Sequence, residues 1–215
     1  MKILKLFGLV IPTLVCSSVF AAENVMSLSY DGFFDRIEKL DKPEFQNVKL
    51  AFYLKEMTTG KPCGIKSVHL KTKLKSKKVY FYESGEVILP FDKQYDLDKA
   101  QVVIEKVNDD NCGLDMRIES ISLFSSNIEA NEIIALIDTF DAALEKQTGM
   151  LSFLAPEVIG ATFLAPEGSS MEIVSGAKGE CNDLGCTITK SSFENNIEHV
   201  KFSTKPTKAL PYIQK

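Results

Sequence analysis

The stretch from Val68 to Lys78 carries the strongest local charge signal in the chain, VHLKTKLKSKK. Read as one strand, it alternates apolar side chains on one face with cationic or potentially cationic side chains on the other. A ladder of such side chains about 7 Å apart would attract an anionic polymer or lipid head groups. The alternative is that the lysines protect an exposed sheet edge or keep one face in water. The candidate binding residues are His69, Lys71, Lys73, Lys75 and Lys77.

Histidine chemistry has only two candidates in this chain, His69 and His199. Neither has a second histidine or a carboxylate at the helical spacing of zinc ligands, and no hydrolase or metalloprotease motif is present. A serine–histidine–aspartate site built from distant segments stays open, because such triads are defined by geometry and not by chain order. The alternative function is therefore a hydrolase that uses one of these two histidines.

Three carboxylates, Asp138, Asp141 and Glu145, lie three and four residues apart on one flank of a predicted helix. Paired carboxylates can serve acid–base chemistry because like charges push their pKa values apart. Charges on one side of a helix more often face water, and no partner base accompanies these three. No catalytic residue, metal site or cofactor is therefore predicted. A second acidic group lacks the spacing and the glycine of a calcium loop and is assigned to turns: Asp92, Asp96 and Asp98.

The element that organises the chain is the amphipathic stretch from Ser126 to Gly149. Its apolar residues recur every three or four positions, which predicts a helix with one buried face. Ser126 followed three residues later by Glu129 predicts a capping box, and Gly149 predicts the end of the helix. The apolar positions are Ala130, Ile133, Ile137, Phe140 and Leu144.

A shorter amphipathic helix is predicted near the N-terminus, ending at the break formed by Lys42 and Pro43. Its apolar positions are Phe33, Phe34, Ile37 and Leu40. From Val48 to Lys55 the period changes to strict alternation, which predicts a half-buried strand. Further strands are predicted on both sides of a turn at Ser84 and Gly85, at residues 100–107 and 114–123, and from residue 171 to 202.

Strands, one long helix and then more strands, without regular alternation, are typical of an α+β domain. The predicted fold is a mainly antiparallel sheet packed on one long amphipathic helix and one short N-terminal helix. The segment Phe-Leu-Ala-Pro-Glu occurs at residues 153–157 and again at 163–167 and predicts two similar proline turns.

The first residues predict a secretory signal peptide. Lys2 and Lys5 precede an uncharged apolar run and then the small residues Ala21 and Ala22. Cleavage after Ala21 divides the chain into a signal peptide, residues 1–21, and a single α+β domain, residues 22–215. The apolar run is short and contains a proline, so no transmembrane anchor is expected after cleavage.

Four cysteines follow the predicted cleavage site, and an even number in an exported protein predicts two disulfides. Cys181 and Cys186 flank a four-residue turn sequence, so a hairpin would bring them within bridging distance. That pairing leaves Cys63 with Cys112. A zinc site or a thioredoxin-type redox site is disfavoured because the closely spaced cysteine pairs of such sites are missing.

The charge balance disfavours a nucleic-acid partner. The formal net charge is −4, and loss of two lysines with the signal peptide makes it −6. An anionic envelope component is the expected partner of the cationic ladder, and the sequence does not indicate an oligomeric state.

Three short motifs together resemble a known family: Tyr30-Asp-Gly-Phe33-Phe34 shortly after a signal peptide, the pair Cys63 and Cys112, and the closing Leu210-Pro211-Tyr212. The family consists of exported proteins of Gram-negative bacteria and is known as a domain of unknown function. The resemblance implies an envelope location and no particular activity. The predicted function is that of a non-enzymatic, soluble periplasmic binding or accessory protein of the cell envelope, and the alternative is a periplasmic hydrolase.

Overall fold

The computed structural model describes residues 24–121, 124–149, 155–193 and 197–213. The predicted signal peptide lies outside these ranges. None of the helices within them is long and apolar enough to cross a membrane. The helices are α1 (Asp31–Leu40), α2 (Lys93–Leu97) and α3 (Ala130–Thr148), with short 3-10 turns at Pro43–Phe45 and Lys190–Phe193.

Within the described residues the strands form four small sheets, and every pairing in them is antiparallel. In spatial order, sheet I contains β1 (Val25–Ser29), β7 (Gln101–Lys106), β3 (Ile65–Lys71) and β4 (Ser76–Lys78). Sheet II contains β5 (Tyr80–Phe81), β6 (Glu86–Ile88), β2 (Val48–Glu56) and β8 (Cys112–Ser120). Sheet III contains β11 (Ile173–Ser175), β14 (His199–Phe202) and β9 (Asn127–Glu129). Sheet IV contains β12 (Glu180–Asn182), β13 (Gly185–Thr189), β10 (Val158–Leu164) and β15 (Lys208–Ile213). Helices and mostly antiparallel sheets occur together, as the α+β prediction requires.

Helix α3 has the predicted buried face but not the predicted start. Its N-terminal boundary is Glu129, whose side chain makes no capping hydrogen bond. The predicted capping box is wrong because residues 127–129 form strand β9, in which Ile128 lies opposite Val200 of β14. The backbone N–H of Ala130 donates to the carbonyl of Glu198 at 2.8 Å, so a distant segment satisfies the helix end. Gly149 ends the helix as predicted, with a positive φ of 62°.

The part of the chain that the structure describes has two hydrophobic cores. Helix α3 packs against β10 in the C-terminal core. Helix α1 packs in a separate N-terminal core, where the rings of Phe33 and Phe52 meet edge to face at 4.9 Å. The strands of sheet I therefore pack on α1 and their own core, not on the long helix. Leu50 of β2 packs against both cores.

Strand β2 is buried more completely than alternation predicts. Phe52 and Leu54 point into the N-terminal core, as expected. Ala51 and Tyr53, on the other face, are buried as well. The reason is tertiary, because β15 contacts β8 and brings Lys208 to the Tyr53 hydroxyl.

Both predicted disulfides are confirmed. Cys63 and Cys112 are joined with their Cα atoms 6.3 Å apart. Cys181 and Cys186 lie opposite each other across the β12–β13 hairpin, with Cα atoms 4.0 Å apart. On the chain-entropy account the longer loop contributes about 4 kcal/mol and the shorter about 2 kcal/mol.

Two predicted turns are also present. Gly85 has a φ of +84°, and a Cβ there would lie 2.5 Å from the carbonyl oxygen of Leu54, so the turn needs glycine. In the second Phe-Leu-Ala-Pro-Glu segment, β10 ends at Leu164 and a turn follows, with Ser169 N donating to Pro166 O. Residues 153 and 154 of the first segment lie outside the described residues.

Candidate functional site

The segment from Val68 to Lys78 is a hairpin, so the prediction of one continuous strand is wrong. Strand β3 ends at Lys71, and the chain turns back before β4. The Thr72 N–H donates to the Lys75 carbonyl at 2.8 Å, and the Thr72 hydroxyl accepts from the backbone N–H groups of Leu74 and Lys75. A threonine hydroxyl that bonds the following backbone stabilises such turns.

The five candidate cations therefore do not form one ladder. Lys77 is paired opposite Leu70, away from the face that carries His69, and its Nζ lies 5.9 Å from the centre of the Tyr95 ring. The structure separates the candidates into a pair on one face of β3, a pair in the turn, and one on the opposite face: His69 with Lys71, Lys73 with Lys75, and Lys77.

We call residues Lys71–Lys78 the cationic hairpin. Among the described residues, none of its lysines forms an ion pair with a carboxylate. The turn also presents an apolar side chain to solvent, because Leu74 is 91% exposed. Tyr80 and Tyr82, which follow directly, are exposed as well. The hairpin thus combines unpaired positive charge with protruding apolar groups.

The hydrolase alternative needs a histidine within hydrogen-bond reach of a serine and a carboxylate. His69 is half-buried on β3, and His199 is exposed at the start of β14. Within the described ranges, neither imidazole hydrogen-bonds to a serine or a carboxylate, and neither lines any of five well-formed surface cavities. The arrangement required by the hydrolase alternative is therefore not assembled by these residues.

Two of the three carboxylates on α3 have structural partners, and the third, Glu145, is exposed. Asp141 accepts the backbone N–H of Val158 at 2.9 Å, which ties the helix to the start of β10. Asp138 forms an ion pair with Lys190 at 2.7 Å. The part of the chain described here contains no group of three or more side chains suited to hold a metal ion.

A buried ion network links sheets II and IV, and the sequence analysis missed it. Its centre is the carboxylate of Glu119, which is 1% exposed. Tyr53 donates its hydroxyl proton to Glu119 at 2.8 Å, and Lys208 Nζ contacts both carboxylate oxygens at 3.0 Å and the Tyr53 hydroxyl at 2.9 Å. Lys49 bridges Glu119 at 3.2 Å and Glu86 at 2.6 Å. Two lysines thus balance two carboxylates.

The network shifts the ionisation of two of its members. Burial, together with the hydrogen bond to Glu119, raises the pKa of Tyr53 well above its usual value of 10.0. Burial by itself lowers the pKa of Lys49, but the bond to Glu86 and the charges of both carboxylates outweigh burial and raise that pKa above 10.5. Tyr53 is therefore a neutral donor and Lys49 a cation at neutral pH.

An open groove of about 480 Å³ lies where α1 and α3 meet β8 and β15, and we call it the junction groove. Apolar side chains from α3, β8, β15 and β2 form most of its wall, and α1 contributes an arginine. Two arginines, Arg36 and Arg117, also line it. The apolar wall includes Leu50, Met116, Ile118, Leu144, Leu210 and Ile213.

Comparison with protein families identifies the family to which the chain belongs. A family model described as a protein of unknown function, DUF2987, matches residues 21–164, which is more than half of the chain. The chain belongs to the DUF2987 family. The resemblance to a family of unknown function is thereby confirmed. Comparisons with curated proteins and with solved structures found no match.

The DUF2987 match includes only part of the features described above. It contains the Tyr30–Phe34 motif and the Cys63–Cys112 disulfide, whereas Leu210–Tyr212 and the Cys181–Cys186 disulfide lie beyond it. It contains four members of the buried network but not Lys208. The DUF2987 region therefore supplies a buried carboxylate whose lysine partner at 3.0 Å comes from the C-terminal strand.

The sequence analysis missed the buried network because its members are far apart along the chain. Tyr53 and Glu119 are separated by 66 positions, and Lys208 by 89 more. The one available signal was the unusual placing of Tyr53 among lysines on the polar face of β2. Alternation assigned that face to solvent.

Proposed function

We propose that this DUF2987 protein is a non-enzymatic, soluble accessory protein of the periplasm that docks on anionic lipid surfaces through the cationic hairpin. The observation that carries the proposal is the hairpin tip, where Leu74 is 91% exposed between Lys73 and Lys75. A protruding apolar side chain flanked by unpaired cations is the arrangement that a membrane interface favours.

The energetic basis is the sum of small terms. Each lysine close to an anionic lipid surface contributes about 1 kcal/mol, and the hairpin carries five. Transfer of a leucine side chain out of water contributes about 1.5–3 kcal/mol more. The exposed tyrosines next to the hairpin suit the head-group layer, where one end of the ring is apolar and the other is wet.

The periplasmic location rests on two supports. The first residues have the pattern of a secretory signal peptide. The two disulfides fit an oxidising compartment, because cytosolic thiols are kept reduced. The DUF2987 match does not bear on either support.

Vesicle co-sedimentation tests the proposal. The variant with Lys71, Lys73 and Lys75 all changed to Gln should bind vesicles that contain phosphatidylglycerol more weakly, with a melting temperature close to that of the parent. Binding by the parent should also fall as salt rises, because charges are screened within about 8 Å at physiological ionic strength. Vesicles of phosphatidylcholine alone should bind neither protein.

A matched control removes the same charge elsewhere. Changing Lys42, Lys146 and Lys205 to Gln alters three exposed lysines outside the hairpin and should leave vesicle binding nearly unchanged. Edge protection predicts the reverse for the hairpin variant: unchanged sedimentation with vesicles and more light scattering, because the edge strand β4 would associate with other copies. That result would refute the proposal.

A further inference from the structure

The junction groove is an open apolar surface within the size range of small-molecule sites. Its volume of about 480 Å³ falls between the roughly 300 and 1,000 Å³ that are typical of such sites. Met116 is 45% exposed on its wall, whereas the other residues of β8 are buried or half-buried, and Ile213 is also exposed. An alkyl chain laid in the groove would cover both side chains and rest on Leu50 and Ile118.

The charge of the groove has one sign. Arg36 and Arg117 line it, and no carboxylate does among the described residues, although the chain as a whole has a net charge of −4. Asp115 pairs with Arg117 through a single oxygen, at 2.7 Å from Nε and 2.6 Å from Nη2, and lies outside the groove. Arg36 uses Nη1 to bond the Gly32 carbonyl. Since a guanidinium has five N–H donors, both arginines keep donors for an anionic ligand.

We infer that the junction groove binds a free single-chain amphiphile with a carboxylate head group. The alkyl chain lies along the apolar wall and the carboxylate accepts hydrogen bonds from Arg36 and Arg117. This site is independent of the cationic hairpin, because neither arginine belongs to it and no lipid bilayer is involved.

Isothermal titration with three probes, each below its micellar concentration, tests the inference. Dodecanoate should bind. Dodecyltrimethylammonium has the same chain length with a cationic head group and should bind at least about tenfold more weakly, because it meets the two guanidinium groups. Octanoate should also be at least about tenfold weaker, since each methylene contributes roughly fourfold.

Substitutions then locate the site. Met116→Asp places a carboxylate against the apolar wall and should weaken dodecanoate binding at least about tenfold. The matched control is Met57→Asp, at an exposed methionine that does not line the junction groove, and it should bind like the parent. The double variant Arg36→Gln and Arg117→Gln should lose most of the preference for dodecanoate over the cationic probe.

Three results would overturn the inference. They are the absence of dodecanoate binding, equal binding of the anionic and cationic probes, and equal binding by Met116→Asp and Met57→Asp. A thermal melt of each variant shows whether it is folded, and the exposure of Met116 leaves room for the substitution. The hairpin variant with three lysines changed to Gln should bind dodecanoate normally, so failure of the membrane proposal and failure of this one are separable.

Discussion

The surroundings of Glu119 compensate for the solvation that its buried carboxylate loses. A carboxylate removed from water loses several kcal/mol of solvation unless charges and hydrogen bonds replace the water. Here Tyr53 and Lys208 contact it directly, and Lys49 lies 3.2 Å away. Removing any one partner leaves the Glu119 carboxylate with fewer stabilising contacts. Substitutions in the network should therefore lower the free energy of unfolding by more than the loss of an ordinary surface contact does.

Tyr53→Phe should destabilise the protein in a pH-dependent way. At neutral pH it removes two hydrogen bonds, at a cost of about 1–3 kcal/mol. The pKa of Tyr53 is raised in the folded protein, so as the pH rises Tyr53 loses its proton in the unfolded chain before it does so in the folded one. The stabilising contribution of Tyr53 is therefore complete below pH 10 and falls as the pH rises above 10. The stability gap between parent and variant should therefore narrow above pH 10 in urea melts.

The control for this substitution is Tyr82→Phe, at an exposed tyrosine. It should change stability by less than about 0.5 kcal/mol at every pH. A gap between parent and Tyr53→Phe that stays constant or widens up to pH 11 would contradict the assigned role. The pKa of Lys49 is also raised, so Lys49 adds to the loss of stability at high pH in both the parent and the variant.

At the scale of elements, the long helix α3 organises one half of the fold. Its buried face contacts β10, and Asp141 and Asp138 fasten its polar side to neighbouring segments. Helix α1 does the same for the N-terminal core. The two helices are joined by Lys39, which donates to the Gln147 carbonyl, and by Gln147, whose side chain donates to the Arg36 carbonyl.

Ile137→Asp should unfold the C-terminal core. Ile137 is fully buried in α3, and an unpaired carboxylate there should cost about 3 kcal/mol or more, a large part of the stability of an ordinary domain. Glu145→Gln, on the exposed side of the same helix, should change stability by less than about 0.5 kcal/mol. Similar urea midpoints for the two variants would show that α3 is not the main packing element of this core.

At the scale of the whole molecule, two cores share strands β2 and β8. Leu50 packs against both, and the network and the bond from Ala209 N to the Ser120 hydroxyl at 2.8 Å attach β15 to β8. The cores are thus connected by apolar packing and by buried polar bonds. We propose on this basis that residues 22–215 unfold as one domain.

Lys208→Met should weaken this connection. It removes a cation 3.0 Å from Glu119 and should cost about 2–3 kcal/mol, because Lys49 is then the one ion-pair partner that the buried carboxylate keeps among the described residues. Hydrogen exchange should show β7 and α3 of the parent protein opening with the same free energy. In the Lys208→Met variant, the opening free energy of α3 should be lower than that of β7.

Lys205→Met provides the matched control, because Lys205 is exposed nearby in sequence and outside the network. It should leave exchange in both elements unchanged. Independent opening of β7 and α3 in the parent protein would contradict the single-domain proposal.

The sequence alone determined those features that depend on neighbouring residues. The buried face of α3 follows from an apolar repeat of three and four, and its end follows from Gly149. The Cys181–Cys186 disulfide follows from a short turn, and Cys63 and Cys112 then pair by elimination. The helical repeat, the glycine stop and the Cys181–Cys186 turn are local features, for which the spacing of side chains fixes the geometry. Cys63 and Cys112 are 49 positions apart, and their pairing follows only once the local pair is assigned.

Only the tertiary structure decided which polar faces are covered and which segments pair as strands. Residues 127–129 join a sheet because β14, 70 positions later, offers partners that outweigh a capping box. Ala51 and Tyr53, on the polar face of β2, are buried, and Lys208 reaches Tyr53 from strand β15. Strand pairing and burial of charge depend on partners far apart in the chain, and local periodicity carries no record of those partners.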